Sequence, residues 1–215
     1  MLIINLLSVN PVLAFAFIAG LVSAISIHEA AHAFVAYRLG DPTAKLAGRL
    51  TLNPASHLDP IGTIALLLVG IGWGRPTPFD PFNLRNVKRD SALISAAGAF
   101  SNFLLAFALS LPYQIAFYTG NLNLTINSIY EILSIVIWIN VILGVFNLIP
   151  VHPLDGFKVL AGILPRDWYR DFMQTERYGI FILLFLLITG AVGRILFPIV
   201  STILGFILPG FSIPF

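Results

Sequence analysis

Cysteine is absent from this chain, which excludes disulfides, thiolate metal ligands and a cysteine nucleophile. Any tightly held metal must therefore be bound by His, Asp or Glu. Charge is scarce as well: Asp, Glu, Lys and Arg make up 10% of the 215 residues, against about 25% in an ordinary soluble domain. The net charge of +2 is small, and no block of like charge occurs, so nucleic acid is not an expected partner. The N-terminus lacks the basic n-region and small-residue cleavage site of a secretory signal peptide, and its apolar start is expected to belong to the mature protein. No long polar segment separates the apolar runs. What is there is apolar sequence from end to end, 58% hydrophobic, which points to a single membrane-embedded domain over residues 1–215.

A membrane-spanning helix needs about 20 mostly apolar residues, and the chain predicts an all-α integral membrane core of 4–5 spans. The first covers 11–37, apolar except for Ser23, Ser26, His28, Glu29 and His32, and stops at Arg38, Gly40 and Pro42. Residues 45–60 are polar and punctuated. The alternation from Thr43 to Leu52 predicts a small β-like hairpin near the membrane surface. Residues 61–73 are apolar but only 13 long, with Gly70, Gly72 and Gly74 interrupting the end, so a re-entrant segment is expected there. Two further spans are expected at 91–112 and 126–148, joined by an uncharged outer loop at 113–125. The stretch holding Lys158, Arg166, Arg170 and Arg177 with Asp167, Asp171 and Glu176 predicts a surface helix. Residues 178–215 form one kinked span or two shorter ones, broken at Arg194 and Pro198. Lys and Arg concentrate in cytoplasmic loops, so Arg38, Lys45 and Arg49 on one side of the re-entrant segment, and Arg75, Arg85, Lys88 and Arg89 on the other, put both its flanks in the cytoplasm. The cytoplasmic half of the first span then carries its ionisable residues.

Those residues spell His28-Glu29-Ala30-Ala31-His32, the HExxH pattern. Histidines four apart share one helix face, so both imidazoles can reach one ion. Zinc is expected, because two imidazoles, a carboxylate and an open position for water make a catalytic zinc site. Glu29 is the candidate general base. The pattern is short enough to arise by chance in a soluble helix, but an ionisable residue in a span costs about 2.5–3.5 kcal/mol on insertion scales, and here three cluster. A third protein ligand must come from Asp59, Asp80, Glu131, Asp155, His57 or His152. Asp155 follows a stretch broken by Pro150 and Pro153, returns to the side of the HExxH residues and precedes Gly156. Its spacing fits a ligand and a helix cap for residues 157–164 equally well.

Together these motifs resemble the site-2 protease family of intramembrane metalloproteases, in its compact prokaryotic branch. The resemblance rests on His28 to His32, on Asn53-Pro54 through His57-Leu58-Asp59-Pro60 with Gly62, similar to an NPxxHxDPxG segment, and on Asn147 to Gly156, similar to the NxxP and LDG motif. It implies Asp155 as third zinc ligand and Glu29 as base. Gly98-Ala99-Phe100-Ser101-Asn102 is similar to the family's GxxxN element, implying that Asn102 positions substrate; helix packing through Gly98 is the other reading. Asn147 is expected to orient substrate or to satisfy backbone freed by Pro150. His57 is read as a partner of the site, a substrate contact or an ordinary surface histidine. His152 departs from the family, whose members often have Pro there. Arg75-Pro76-Thr77-Pro78 and Asp80-Pro81-Phe82-Asn83 resemble the branch's proline-rich loop, either an edge for substrate or a rigid connection.

The function expected is hydrolysis of peptide bonds within or near transmembrane segments of membrane proteins, using one zinc per chain with the active site towards the cytoplasm. The alternatives are a membrane zinc transporter or zinc sensor working with the same ligands, and an inactive family member acting as a scaffold. A transport route needs polar residues in several spans, and the second and third offer only Ser101, Asn102, Glu131, Ser134 and Asn140.

Overall fold

The computed structural model describes residues 10–69, 72–120 and 124–210. Gly70, expected to interrupt the short apolar segment, and residues 121–123 of the expected outer loop lie outside them. The described chain is helical: α1 (Pro11–Arg38), α2 (Thr43–Leu46), α3 (Pro60–Val69), α4 (Val87–Thr119), α5 (Leu124–Asn147), α6 (Asp155–Ile163), α7 (Arg166–Gln174), α8 (Gly179–Ile188) and α9 (Ala191–Ile207), with short 3-10 turns between some of them. Three of these helices are long and apolar enough to cross a membrane, or four crossings if the bent run ending in α8 and α9 counts as one.

Two of the long helices, α1 and α4, begin where the sequence supplies a cap. The Asn10 side chain accepts from Leu13 N at 3.2 Å, and Pro11 occupies the first turn, where its missing N–H leaves nothing unpaired. Asn86 caps α4 by accepting from Arg89 N, and Gly120, at φ 69°, ends it. α4 continues through Pro112 for two turns beyond the expected span end. Tertiary contacts hold those turns: Tyr113 Oη donates to Pro209 O at 3.2 Å and Gln114 Nε2 to Ile207 O at 3.2 Å.

The hairpin expected near Thr43 to Leu52 is not formed. Asp41 accepts from Thr43 N at 3.0 Å and starts the single helical turn α2, and Gly48, at φ 69°, follows it. The local turn made by the Asp41 side chain outweighs a weak alternation. An isolated bridge between Leu58 and Gly74 is the strand-like pairing among the described residues. The C-terminal break is displaced too. Helices bend by 75° between Ile188 and Ala191, around Gly190 at φ 71°, whereas Arg194 and Pro198 sit inside α9. A left-handed glycine reverses direction more sharply than a proline within an apolar helix.

α1, α4 and α5 pack on one another, and α6 packs on α4. Small residues make the close approach possible: Ala14, Ala16, Gly20, Ala24, Ala30, Ala33 and Ala36 are among the buried residues of α1. A Cβ on Gly20 would lie 3.0 Å from Ile139 Cδ1, and one on Gly144 2.8 Å from Phe103. Large apolar side chains such as Phe15, Phe100, Phe107 and Phe181 are exposed instead. This outward placement suits a helix bundle in lipid, where apolar surface need not be hidden from water.

Candidate metal centre

His28 and His32 lie on the buried face of α1, their rings 4.6 Å apart and edge-on at 88°. Asp155 is the first residue of α6, and its Oδ2 lies 2.9 Å from His28 Nε2 and 3.2 Å from His32 Nε2. The preceding residue, Leu154, occupies the cap position without any side-chain cap bond. The Asp155 carboxylate is therefore spent on the histidines and not on capping. Gly156 lets this turn close, because any Cβ there would run into the carbonyl of Leu148.

The polar surroundings decide which imidazole nitrogen is free. His32 Nδ1 lies 2.7 Å from the carbonyl oxygen of Ile94, which can only accept, so Nδ1 carries the proton and Nε2 offers a lone pair. His28 Nδ1 lies 2.7 Å from Asn102 Oδ1, with the same consequence. Two imidazole lone pairs thus point at one carboxylate oxygen, an arrangement of acceptors facing acceptors that is satisfied by a cation. The donor set of two imidazoles and a carboxylate fits zinc.

Glu29 lies beside this point: one donor atom each from His28, Glu29 and His32 fall within 4.8 Å of one another. Its Oε2 accepts from Thr77 N at 2.8 Å, and its backbone carbonyl accepts from Thr77 Oγ1 at 3.0 Å. The proline-flanked loop is therefore fastened to the HExxH helix. Upstream, Arg75 N donates to His57 O at 2.7 Å; downstream, Asp80 N donates to Asp41 Oδ2 at 2.7 Å. Burial pushes the Asp41 carboxyl up, but hydrogen bonds from the Thr43 hydroxyl, Asn83 and the Thr43 and Asp80 amides outweigh it and hold it below the usual carboxylate range. Gly98 on α4 faces the imidazoles so closely that a Cβ would sit 2.5 Å from His28 Nε2 and from His32 Cε1.

The other candidate ligands have different tasks. Asp59 Oδ1 accepts from Gly62 N at the start of α3, and Asp80 Oδ1 accepts from Phe82 N in a 3-10 turn. His152 faces Glu176 at 3.5 Å, and Glu131 is exposed. His57 is fully buried, its Nε2 donating to Thr51 O at 2.7 Å, so it is not a surface residue. Asn102 is also fully buried, its amide directed at Ala24 O and Asn140 Oδ1. Asn147 donates to Leu143 O within its own helix at 3.0 Å. Two residues named in the sequence were given no role at the site: Thr77, noted only as part of the proline-rich loop, and Asn140, a carboxamide in an apolar span whose cost is a signal that could have been followed.

Residues 108–190 match peptidase family M50. Over 84% of its length the chain is 38% identical to YwhC of Bacillus subtilis, which bears the name of a zinc metalloprotease, and the match covers 84% of that protein. This chain belongs to peptidase family M50. Proteins named Rip2, likewise named as zinc metalloproteases, also resemble this M50 peptidase: that of Mycolicibacterium smegmatis is 30% identical over 85% of the chain and 70% of its own length. A zinc metalloprotease of Methanocaldococcus jannaschii, MJ0392, is 26% identical over 67% of the chain and 33% of its own length. No solved structure matches the chain at a significant level. With its long apolar helices, the M50 peptidase is a multi-pass membrane protein.

Proposed function

We propose that this M50 peptidase is an intramembrane zinc metalloprotease that cleaves transmembrane segments of other membrane proteins, with one zinc per chain held by His28, His32 and Asp155. The observation that carries this reading is the convergence of both Nε2 atoms on Asp155 Oδ2. When bound, zinc supplies a Lewis acid that polarises the scissile carbonyl and acidifies water. Glu29 is the general base. The Thr77 amide holds its Oε2, leaving Oε1 to take a proton from the attacking water and pass it to the leaving amine. A substrate helix must unwind locally, because its own hydrogen bonds occupy the backbone groups at the scissile bond. Every polar atom of the Asn102 carboxamide is engaged, so orienting the substrate falls to Asn147, whose Oδ1 is left for a substrate amide. Arg38 at the end of α1 and Arg85, Lys88 and Arg89 at the start of α4 support a cytoplasmic position for this end of the bundle.

Zinc content by mass spectrometry and cleavage of a reporter transmembrane substrate test the reading together. Wild type should hold one zinc and cleave, with a chelator abolishing cleavage and added zinc restoring it. Glu29→Gln should keep zinc and lose cleavage, and Asp155→Ala should lose both. Substantial cleavage by Glu29→Gln would remove Glu29 as base, and full zinc in Asp155→Ala would remove Asp155 as ligand.

A further inference from the structure

Two asparagines from different helices stand behind His28, and neither a ligand list nor the HExxH pattern accounts for the second. Asn102 on α4 and Asn140 on α5 are both fully buried. A carboxamide in an apolar span is unfavourable unless its donors and its acceptor find partners. Here the partners form a chain with a direction. Asn140 Nδ2 lies 2.8 Å from Val136 O, a carbonyl that can only accept. That fixes the rotation of the Asn140 amide and turns Oδ1 towards Asn102, whose Nδ2 donates to it at 2.9 Å. The second Asn102 proton goes to Ala24 O at 3.1 Å, another obligatory acceptor. Both Asn102 donors are then used, and the oxygen that remains, Oδ1, lies 2.7 Å from His28 Nδ1.

We propose that Asn140 and Asn102 form a positioning relay that keeps the His28 proton on Nδ1 and its Nε2 lone pair directed at the metal. Backbone carbonyls at Val136 and Ala24 orient the two amides, and the amides orient the imidazole. His32 reaches the same tautomer through a single carbonyl, Ile94 O, so the two histidines are fixed by independent means and only His28 depends on side chains from two other helices. Partners of this kind raise ligand basicity as well as fixing the ring, and losing one typically weakens metal affinity about 10–100-fold. Because α1, α4 and α5 all contribute, the metal affinity is tied to the packing of the three helices that surround the site.

This inference rests on His28 being a zinc ligand, and the experiment separates the two. Protein labelled with 15N-histidine is studied zinc-free by NMR, the His28 signals being those missing from His28→Ala, and zinc affinity is measured by competition with a chromophoric chelator. Wild type should carry a proton on His28 Nδ1. Asn140→Leu should weaken zinc binding about 10–100-fold and mix the His28 tautomers while His32 stays unchanged. Asn140→Asp, held in its neutral acid form by burial in the apolar span, keeps an O–H donor for Val136 O and an acceptor for Asn102 and should bind zinc close to wild type. Unaltered zinc affinity and tautomer in Asn140→Leu, with only thermal stability reduced, would make the pair interhelical glue and overturn the relay. A wild-type His28 without a proton on Nδ1 would overturn it with no variant needed. Zinc retained in His28→Ala would remove the ligand reading itself, and the relay with it.

Discussion

His28 and Asp155 are 127 positions apart in the chain, yet His28 Nε2 and Asp155 Oδ2 lie 2.9 Å apart in the fold. The distance is set by α4, which packs against both α1 and α6. Ile94 of α4 supplies the carbonyl that orients His32, Gly98 the space in which both imidazoles fit, and Asn102 the acceptor for His28. One helix therefore sets the site from three successive turns.

Gly98 offers the sharpest test of that geometry. In Gly98→Ala the added methyl meets both imidazoles at 2.5 Å, well inside van der Waals contact, and the ring positions must shift. Zinc affinity should fall by at least about 10-fold, in the range that disturbed orientation of a ligand produces, while the circular dichroism spectrum remains helical. Wild-type zinc affinity in Gly98→Ala would mean that Gly98 serves helix packing alone.

Thr77 separates loop anchoring from chemistry. Thr77→Val removes the hydroxyl bond to the Glu29 carbonyl, a loss of about 1 kcal/mol, and should lower kcat only a few-fold. Thr77→Pro removes the amide that holds Glu29 Oε2, and should lower kcat by about 10-fold or more, as expected for a misoriented base, with zinc content unchanged. Equal kcat values for the two variants would show that the amide bond does not matter to Glu29.

Asp41 joins the end of α1 to the loop that reaches Glu29. Its carboxyl is held below the usual range in the fold, so it contributes stability above the unfolded value of about 3.9, and that contribution is lost as pH falls through the lower folded value. The Tm difference between wild type and Asp41→Asn should accordingly be constant from about pH 7 to 5 and shrink below about pH 4. A difference that grows on acidification would contradict the assignment.

Parts of the site were legible because they are local. The HExxH spacing sets His28 and His32 on one face of a helix whatever the rest of the chain does, and the cost of ionisable groups in an apolar span marks the cluster as purposeful. Asp155 was a different matter: from spacing it was a ligand or a cap, and only the docking of α6 on α4 carries its carboxylate to the histidines. The alternation after Thr43 suggested strands because it ignores Asp41, whose side chain starts a helical turn there. Pro112 looked like an end because its missing N–H is a local fact, whereas the contacts of Tyr113 and Gln114 with the chain near Ile207 are not.

By itself the sequence determined a membrane-embedded helical chain and the face on which two histidines and a glutamate stand, since composition and a four-residue spacing act through solvent and helix geometry alone. The tertiary structure decided which carboxylate meets those histidines, which amide steadies Glu29 and which nitrogen of His28 is free. Each of those depends on atoms brought together from segments far apart in the chain, at distances of about 3 Å where hydrogen bonds form or fail.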